Sequence, residues 1–171
     1  MKVPSASRNS LTVVTLTFVL VFALFESLIW AAAMSGRLDW LMELTARAAA
    51  VLIHGVGIPA TLLGNQILLT SRILQIDLDC TALPIAALYS ALVIAYPLPI
   101  RMRLLALGVG LPVIAVANLL RLLGVAFASE YLSPDVFIFA HEYLFKIVMV
   151  FVVVALWAVW LQIARGHAQT A

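Results

Sequence analysis

The feature that most limits the fold of this chain is a set of four long, nearly uncharged apolar runs. These runs cover residues 11–34, 81–96, 104–128 and 136–163. About 20 apolar residues cross a bilayer as a helix, and the short second run needs its flanks to do so. Of the 171 residues, 65% are hydrophobic and 11% are charged, whereas a soluble domain is about half apolar and about a quarter charged. We therefore predict an all-α membrane protein, a polytopic helical bundle of about four transmembrane helices that forms a single integral membrane domain over residues 1–171.

The region between the first two runs predicts a different kind of structure. Residues 40–58 are apolar but are interrupted by three ionisable side chains, a pattern typical of an amphipathic helix at the membrane interface rather than of a full span. Residues 61–79 contain the turn signal Gly64-Asn65 and partly alternate apolar with polar residues. This pattern predicts a short outer hairpin that leads into Cys80.

Five cations flank the runs in a pattern that predicts the topology. The positive-inside rule places basic loops on the cytoplasmic side of the membrane. With four spans, the following cations all fall on one side: Lys2, Arg8, Arg101, Arg103 and Arg165. We therefore predict a multi-pass protein of the cytoplasmic (inner) membrane with both termini in the cytoplasm. The first run is longer than the roughly 7–15 apolar residues of a signal peptide, which favours an uncleaved signal anchor.

Three complementary polar residues fall at the outer ends of consecutive runs. Cys80 opens the second run, Arg121 lies near the end of the third and His141 near the start of the fourth. A helix start favours a thiolate and offers amide groups to an oxyanion, and Asp79 or Thr81 is able to cap that helix. A histidine beside a thiol acts as its base and later protonates the leaving amine. The pattern indicates a thiol-based active site that faces outward at the membrane surface.

Each of the three residues also has a purely structural interpretation. A lone cysteine such as Cys80 is often a small packing residue, and a membrane histidine such as His141 often bonds a neighbour. An arginine in a span needs a partner. The candidate carboxylates for Arg121 are Asp77, Asp79 and Glu26.

Two spacings within the later runs suggest local contacts. Asn118 lies three residues before Arg121, on the same helical face. Glu142 and Lys146 have the i,i+4 spacing of an ion pair, so we predict that they bind each other and that Glu142 points away from His141.

These residues together resemble the exosortase/archaeosortase family. The matching elements are Asp-Cys80-Thr-Ala-Leu, Asn118-Leu-Leu-Arg121 and then His141, against a family pattern of Cys-Ser/Thr-Gly, Asn-x-x-Arg, and a His or Arg in the following helix. The resemblance covers roughly residues 45–161. Two departures are Ala82 in place of the glycine and a length shorter than many members, which suggests a compact form.

The resemblance implies a membrane cysteine transpeptidase or peptidase. It assigns Cys80 as nucleophile, Arg121 as the activating or oxyanion-stabilising cation and His141 as general acid/base, with Asn118 positioning Arg121. The implied partners, besides the lipid bilayer, are membrane-anchored proteins with a C-terminal sorting signal of the PEP-CTERM type, which comprises a short motif, a transmembrane helix and a basic tail. No organic cofactor or metal is implied.

Net charge and residue counts argue against several other functions for this chain. The net charge of +2 and the absence of a basic stripe argue against a nucleic-acid partner. The single cysteine argues against a disulfide oxidase, and the three scattered histidines do not have metal-ligand spacing. Two alternatives remain. One is an aspartic peptidase like the lipoprotein signal peptidases, with Asp77 or Asp79 paired with Asp135. The other is a non-enzymatic assembly or transport subunit whose polar residues only hold helices together.

Overall fold

Long apolar helices and one small sheet make up the described part of the chain. The computed structural model describes the backbone of residues 8–169 and the side chains of residues 11–163. The helices are α1 (Arg8–Met34), α2 (Asp39–Gly55), α3 (Leu83–Ala95), α4 (Ile100–Tyr131), α5 (Pro134–Phe139) and α6 (Phe145–Gln169). Between α2 and α3 lie β1 (Thr61–Leu63), β2 (Gln66–Leu68) and β3 (Ile73–Gln75), followed by a 3-10 turn at Leu78–Cys80; a π-helical turn at Ala140–Leu144 joins α5 to α6. Lys2, among the predicted cytoplasmic cations, lies outside the described residues, and so do the side chains of Arg8 and Arg165.

Within the described residues, three helices are long and apolar enough to cross a membrane. They are Leu11–Met34, Ile100–Tyr131 and Pro134–Ile163, which confirms the all-α membrane fold. The predicted second span, 81–96, corresponds to α3, which has 13 residues. At 1.5 Å per residue a helix of this length covers roughly 20 Å, less than the roughly 30 Å of a hydrocarbon core. The count of four spans therefore stays a prediction.

The boundaries of the later helices differ from the sequence prediction. The third predicted span, 104–128, corresponds to α4. This helix runs from Ile100 to Tyr131, beyond both predicted ends, and continues through Pro112. The fourth predicted span, 136–163, corresponds to α5, the π-helical turn and α6, and it begins at Pro134. The apolar pattern does not reveal the π-helical turn. Apolarity predicts which residues enter lipid, but it does not predict how far a helix extends into the flanking layers.

Helix α2 has the burial pattern of an amphipathic helix. Its buried residues are Ala46, Ala49, Ala50 and Ile53, which share one helical face at i, i+3, i+4 and i+7. The three alanines allow α2 to lie close to its neighbours, and all four residues form one buried cluster with the sheet and with Leu122 and Ala126 of α4. Helix α2 is not among the candidate spans in the described part of the chain, and the interfacial position predicted for 40–58 stays a prediction.

The buried residues form two clusters at different levels of the bundle. The first, which we call the turn cluster, comprises the buried face of α2, Ile58, Ile67 and Ile76 of the sheet region, Cys80, Leu122 and Ala126. The second, the bundle cluster, comprises Tyr89, Val93, Ala106, Ile114, Met149 and Val153 from α3, α4 and α6. Cys80 thus lies where the sheet, α2 and α4 meet, and packing on three sides fixes its position.

The bundle cluster depends on a close approach of α3 and α4 at Gly110. Tyr89 is fully buried, and its hydroxyl donates a hydrogen bond of 2.9 Å to the carbonyl of Ala106. The ring lies directly against the Cα of Gly110, so a Cβ at that position would collide with it. Only glycine leaves room for this buried tyrosine.

We expect Gly110→Ala to destabilise the protein by about 1–3 kcal/mol, the usual cost of overpacking a filled core. The measurement is the thermal unfolding midpoint of the purified protein in detergent. Gly108→Ala is the matched control, because a Cβ at Gly108 meets no atom within 4 Å. The control should be neutral or gain up to about 1 kcal/mol from helix propensity. Equal midpoints for the two variants would contradict the close approach.

Candidate active site

The residues before α3 form a tight turn that presents Cys80. The Cys80 N–H donates to the carbonyl of Asp77 at 2.9 Å, and the Thr81 N–H donates to that of Leu78 at 3.0 Å. The Thr81 hydroxyl donates to the same Leu78 carbonyl at 2.7 Å and accepts the Leu83 N–H at 3.2 Å. Thr81 therefore joins the turn to the first residue of α3, although the N-cap position of that helix is occupied by Ala82 and not by the predicted Asp79 or Thr81.

The expectation that Cys80 lies at the helix start is wrong. Cys80 ends the 3-10 turn, and α3 begins only at Leu83. The N–H groups of Cys80, Thr81 and Leu83 are all used within the turn. These amides are therefore not available to an oxyanion in this arrangement.

Asn118 and Arg121 of α4 donate hydrogen bonds to backbone carbonyls of this turn. The Asn118 amide donates to the Cys80 carbonyl at 2.8 Å, and Arg121 Nη1 donates to the Asp79 carbonyl at 3.2 Å. Arg121 Nη1 also donates to Asn118 Oδ1 at 3.1 Å, so the contact predicted from their spacing is confirmed. We call these two side chains the clamp; Asn118 is 1% and Arg121 8% exposed. The clamp fixes the backbone of the candidate nucleophile to α4.

Arg121 contacts backbone carbonyls and an amide rather than a carboxylate. Among the described side chains it forms no ion pair with Asp77, Asp79 or Glu26, the partners that the structural interpretation required. Its Nε is buried without a hydrogen-bond partner. The Arg121 guanidinium thus binds the residue that precedes Cys80 through its backbone carbonyl and not through its carboxylate.

A cleft of about 170 Å³ brings Cys80 and His141 together. Its walls are Ile73, Leu74, Gln75 and Ile76 on one side, Leu122 and Val125 of α4, and Phe137. Two of the three predicted residues thus line one cavity, whereas Arg121 lies behind the turn and does not line it. Asp77, Asp79 and Asp135 are exposed and do not line it either, so the cleft does not contain a pair of aspartates.

The thiol of Cys80 lies at the base of β3. Cys80 is 9% exposed, and its Sγ lies 3.8 Å from the carbonyl oxygen of Gln75, to which it is able to donate a weak hydrogen bond. Gln75 was not among the residues that the sequence singled out. A partly shielded sulfur with one open side suits attack on a group that enters the cleft.

His141 is held by an aromatic stack and by a carboxylate. Its ring stacks on that of Phe137, with centroids 5.7 Å apart and planes 21° apart, and the Arg72 guanidinium lies 4.5 Å from the Phe137 centroid. His141 Nδ1 lies 3.2 Å from Glu142 Oε1. A carboxylate at Nδ1 favours the tautomer whose Nε2 is free to exchange a proton.

The contact between His141 and Glu142 corrects the expectation that Glu142 points away. Successive side chains of a regular α-helix diverge, but these two belong to the π-helical turn Ala140–Leu144. The predicted pair of Glu142 with Lys146 is confirmed at 3.0 Å. Glu142 therefore bridges His141 and Lys146, and π-helical turns of this kind occur often at functional sites.

The sheet is tied to the C-terminal end of α4, which fixes one wall of the cleft. The backbone N–H and the hydroxyl of Ser71 both donate to Glu130 Oε1 at 3.0 Å, and the hydroxyl also reaches the Ser129 carbonyl. At the other end of the β2–β3 pair, the Asn65 side chain donates to the Ile76 carbonyl at 3.1 Å. None of these contacts was predicted, because they join segments far apart in the sequence.

The fold and the cleft define a class, a polytopic helical membrane protein with a cysteine and a histidine facing one cavity. No group of three or more potential metal ligands occurs among the residues that the structure describes. The model of the transmembrane exosortase family matches residues 10–161, and the chain belongs to that family. Comparison with curated proteins and with solved structures gave no match.

Proposed function

We propose that this exosortase is a cysteine transpeptidase or peptidase that removes C-terminal sorting signals of the PEP-CTERM type from membrane-anchored proteins at the outer face of the cytoplasmic membrane. The observation that carries the proposal is the shared cleft of Cys80 and His141. Membership of the family supports the same substrate class. The predicted topology, with cytoplasmic termini, puts the cleft on the outer side.

The first half of the reaction uses the thiol and the imidazole. His141 Nε2 takes the proton of Cys80, and the thiolate attacks the scissile carbonyl to form a C–S bond. His141, now protonated, gives that proton to the leaving amine as the C–N bond breaks. Glu142 at Nδ1 orients the ring and selects the tautomer whose Nε2 faces the proton transfer. A thioester on Cys80 and a free sorting tail result.

The second half releases the processed protein. An amine or a water molecule attacks the thioester, His141 accepts its proton, and the C–S bond breaks to restore the thiol. Attack by an amine transfers the protein to an acceptor, and attack by water releases it. Both outcomes need the same residues of this chain.

Arg121 and Asn118 act in this scheme through the turn. The clamp holds the carbonyls of Asp79 and Cys80 and thereby fixes the position of the thiol. Arg121 is thus proposed as a residue that positions Cys80 without lining the cleft.

The test is processing of a co-expressed membrane protein that carries a PEP-CTERM-type tail. We expect tail loss with the wild type and none with Cys80→Ser at equal membrane levels, because the hydroxyl is a far weaker nucleophile than the thiolate. Ser35→Ala, at an exposed serine beyond α1 whose hydroxyl bonds only a nearby carbonyl, serves as a control for substitution itself. Equal processing by wild type and Cys80→Ser would exclude the thiol mechanism and favour the aspartates.

A further inference from the structure

We propose that the free edge of β3 binds the substrate, in an extended conformation, as an added antiparallel or parallel strand beside Cys80. This inference rests on the proposed function and specifies which part of the cleft aligns the peptide. The candidate occupant is the segment next to the scissile bond. β-Strand addition of this kind gives affinity through main-chain hydrogen bonds.

The order of the sheet leaves β3 at an edge. The strands are arranged β1-β2-β3, with β2 in the centre. In the β2–β3 pair, the Leu69 N–H donates to the Arg72 carbonyl, and the Ile76 N–H donates to that of Asn65, both at 2.9 Å. Hydrogen-bonded pairs alternate along an antiparallel ladder, so Leu74 bonds toward β2 while its neighbours in β3 do not.

The alternation directs the backbone groups of Ile73 and Gln75 away from β2. These two residues face Leu68 and Gln66 in the register, which are the non-hydrogen-bonded pairs of this ladder. Among the described residues, no hydrogen bond occupies either N–H group. Both residues line the cleft. The open edge of β3 therefore faces the cavity that contains Cys80 and His141.

The position of the thiol indicates where the peptide would end its pairing. The Gln75 carbonyl, on the open edge, lies 3.8 Å from Cys80 Sγ. Paired strands lie about 4.7–4.9 Å apart, so a peptide paired with Ile73 and Gln75 passes directly beside the sulfur. Unpaired edges are usually protected by charge, proline or a covering element. The described part of β3 has an exposed Ile73 at its edge instead.

Disulfide trapping tests this alignment without requiring cleavage. Cys80 is the only cysteine of the chain, so a Cys80→Ser background accepts a single new thiol at Ile73→Cys. The probe is the same tailed membrane protein with single cysteines at successive positions beside its cleavage motif. The matched control is Leu63→Cys on β1, at the far edge of the sheet, because Leu63 is 64% and Ile73 60% exposed.

We expect disulfides to Ile73→Cys at every second substrate position, since side chains alternate between the faces of a strand, and several-fold lower yields with Leu63→Cys. Equal yields at both edges, or yields without alternation, would overturn the inference. Absence of trapping at position 73 while wild type processes the same substrate would also overturn it and leave the proposed function intact. Alternating trapping of a substrate that wild type does not process would support docking and reject the chemistry.

A second variant tests the hydrogen bonds themselves. Ile73→Pro removes an N–H that β2 does not use, and proline is tolerated at such edge positions. We expect a rise in KM of about two- to tenfold with kcat little changed, as for the loss of one hydrogen bond in binding. Leu62→Pro on β1 is the control. Leu62 faces Ile67 in the non-hydrogen-bonded register, so its N–H group is likewise not used by β2. An unchanged KM for Ile73→Pro would contradict pairing at this edge.

Discussion

Replacing His141 with alanine should lower the rate of substrate processing by about 10²- to 10⁴-fold, the range that a general acid/base contributes. The imidazole lines the cleft with Cys80 and is the only histidine among the lining residues described. Without it, the thiol loses its base and the leaving amine loses its proton donor. The measurement is the rate of tail removal by purified enzyme and substrate reconstituted in vesicles.

Glu142→Gln separates chemistry from structure in this prediction. Glutamine keeps the size of the side chain and removes the charge that bridges His141 and Lys146. We expect an intermediate loss of processing rate, smaller than that of His141→Ala. The thermal unfolding midpoint should be almost unchanged, because Glu142 and Lys146 are both exposed and an exposed ion pair contributes little to stability. Wild-type rates with His141→Ala would show that the imidazole takes no part in the reaction.

The second large effect is expected for Arg121→Met. The substitution leaves the Asp79 carbonyl and Asn118 Oδ1 without their shared donor, and an unsatisfied buried polar group costs about 1–3 kcal/mol. A loosened turn no longer holds the sulfur against Gln75. We therefore expect a loss of processing of at least about 10²-fold, as for other misplaced catalytic groups, together with faster labelling of Cys80 by a maleimide.

Arg121→Lys distinguishes the charge from the clamp. Lysine retains a positive charge but does not reproduce the planar donor geometry of a guanidinium. If the clamp determines activity, Arg121→Lys should resemble Arg121→Met in processing and in maleimide labelling. Full rescue by lysine would mean that charge alone matters. Unchanged labelling and unchanged processing in both variants would contradict a role for Arg121 in holding the turn.

The long apolar runs and the spacing of the polar residues predict much of this arrangement. The prediction of alternating spans puts Cys80 and His141 at one level, and both residues line one cleft in the structure. The i,i+3 spacing of Asn118 and Arg121 predicts their contact, which is observed at 3.1 Å. These features follow from helical geometry alone, because residues three or four apart share a face.

The features that sequence reasoning missed depend on departures from regular helix. The 3-10 turn delays the start of α3 to Leu83 and turns the Cys80 carbonyl toward Asn118. The π-helical turn brings His141 and Glu142 together although they are adjacent in sequence. Short irregular turns carry no periodic signal, and tertiary contacts decide their geometry. The sequence predicts only a hairpin in this region and not the third strand, β3. The register of β3 depends on its pairing with β2, which sequence patterns do not specify.

The most direct test of the central claim is detection of the thioester on Cys80. The purified enzyme is mixed with tailed substrate, quenched in acid and digested, and the peptide that contains Cys80 is examined by mass spectrometry. The account predicts an adduct of this peptide with the amino-terminal part of the substrate, which hydroxylamine releases and which is absent with Cys80→Ser. Tail removal that proceeds in Cys80→Ser, without any adduct on the wild-type peptide, would contradict it.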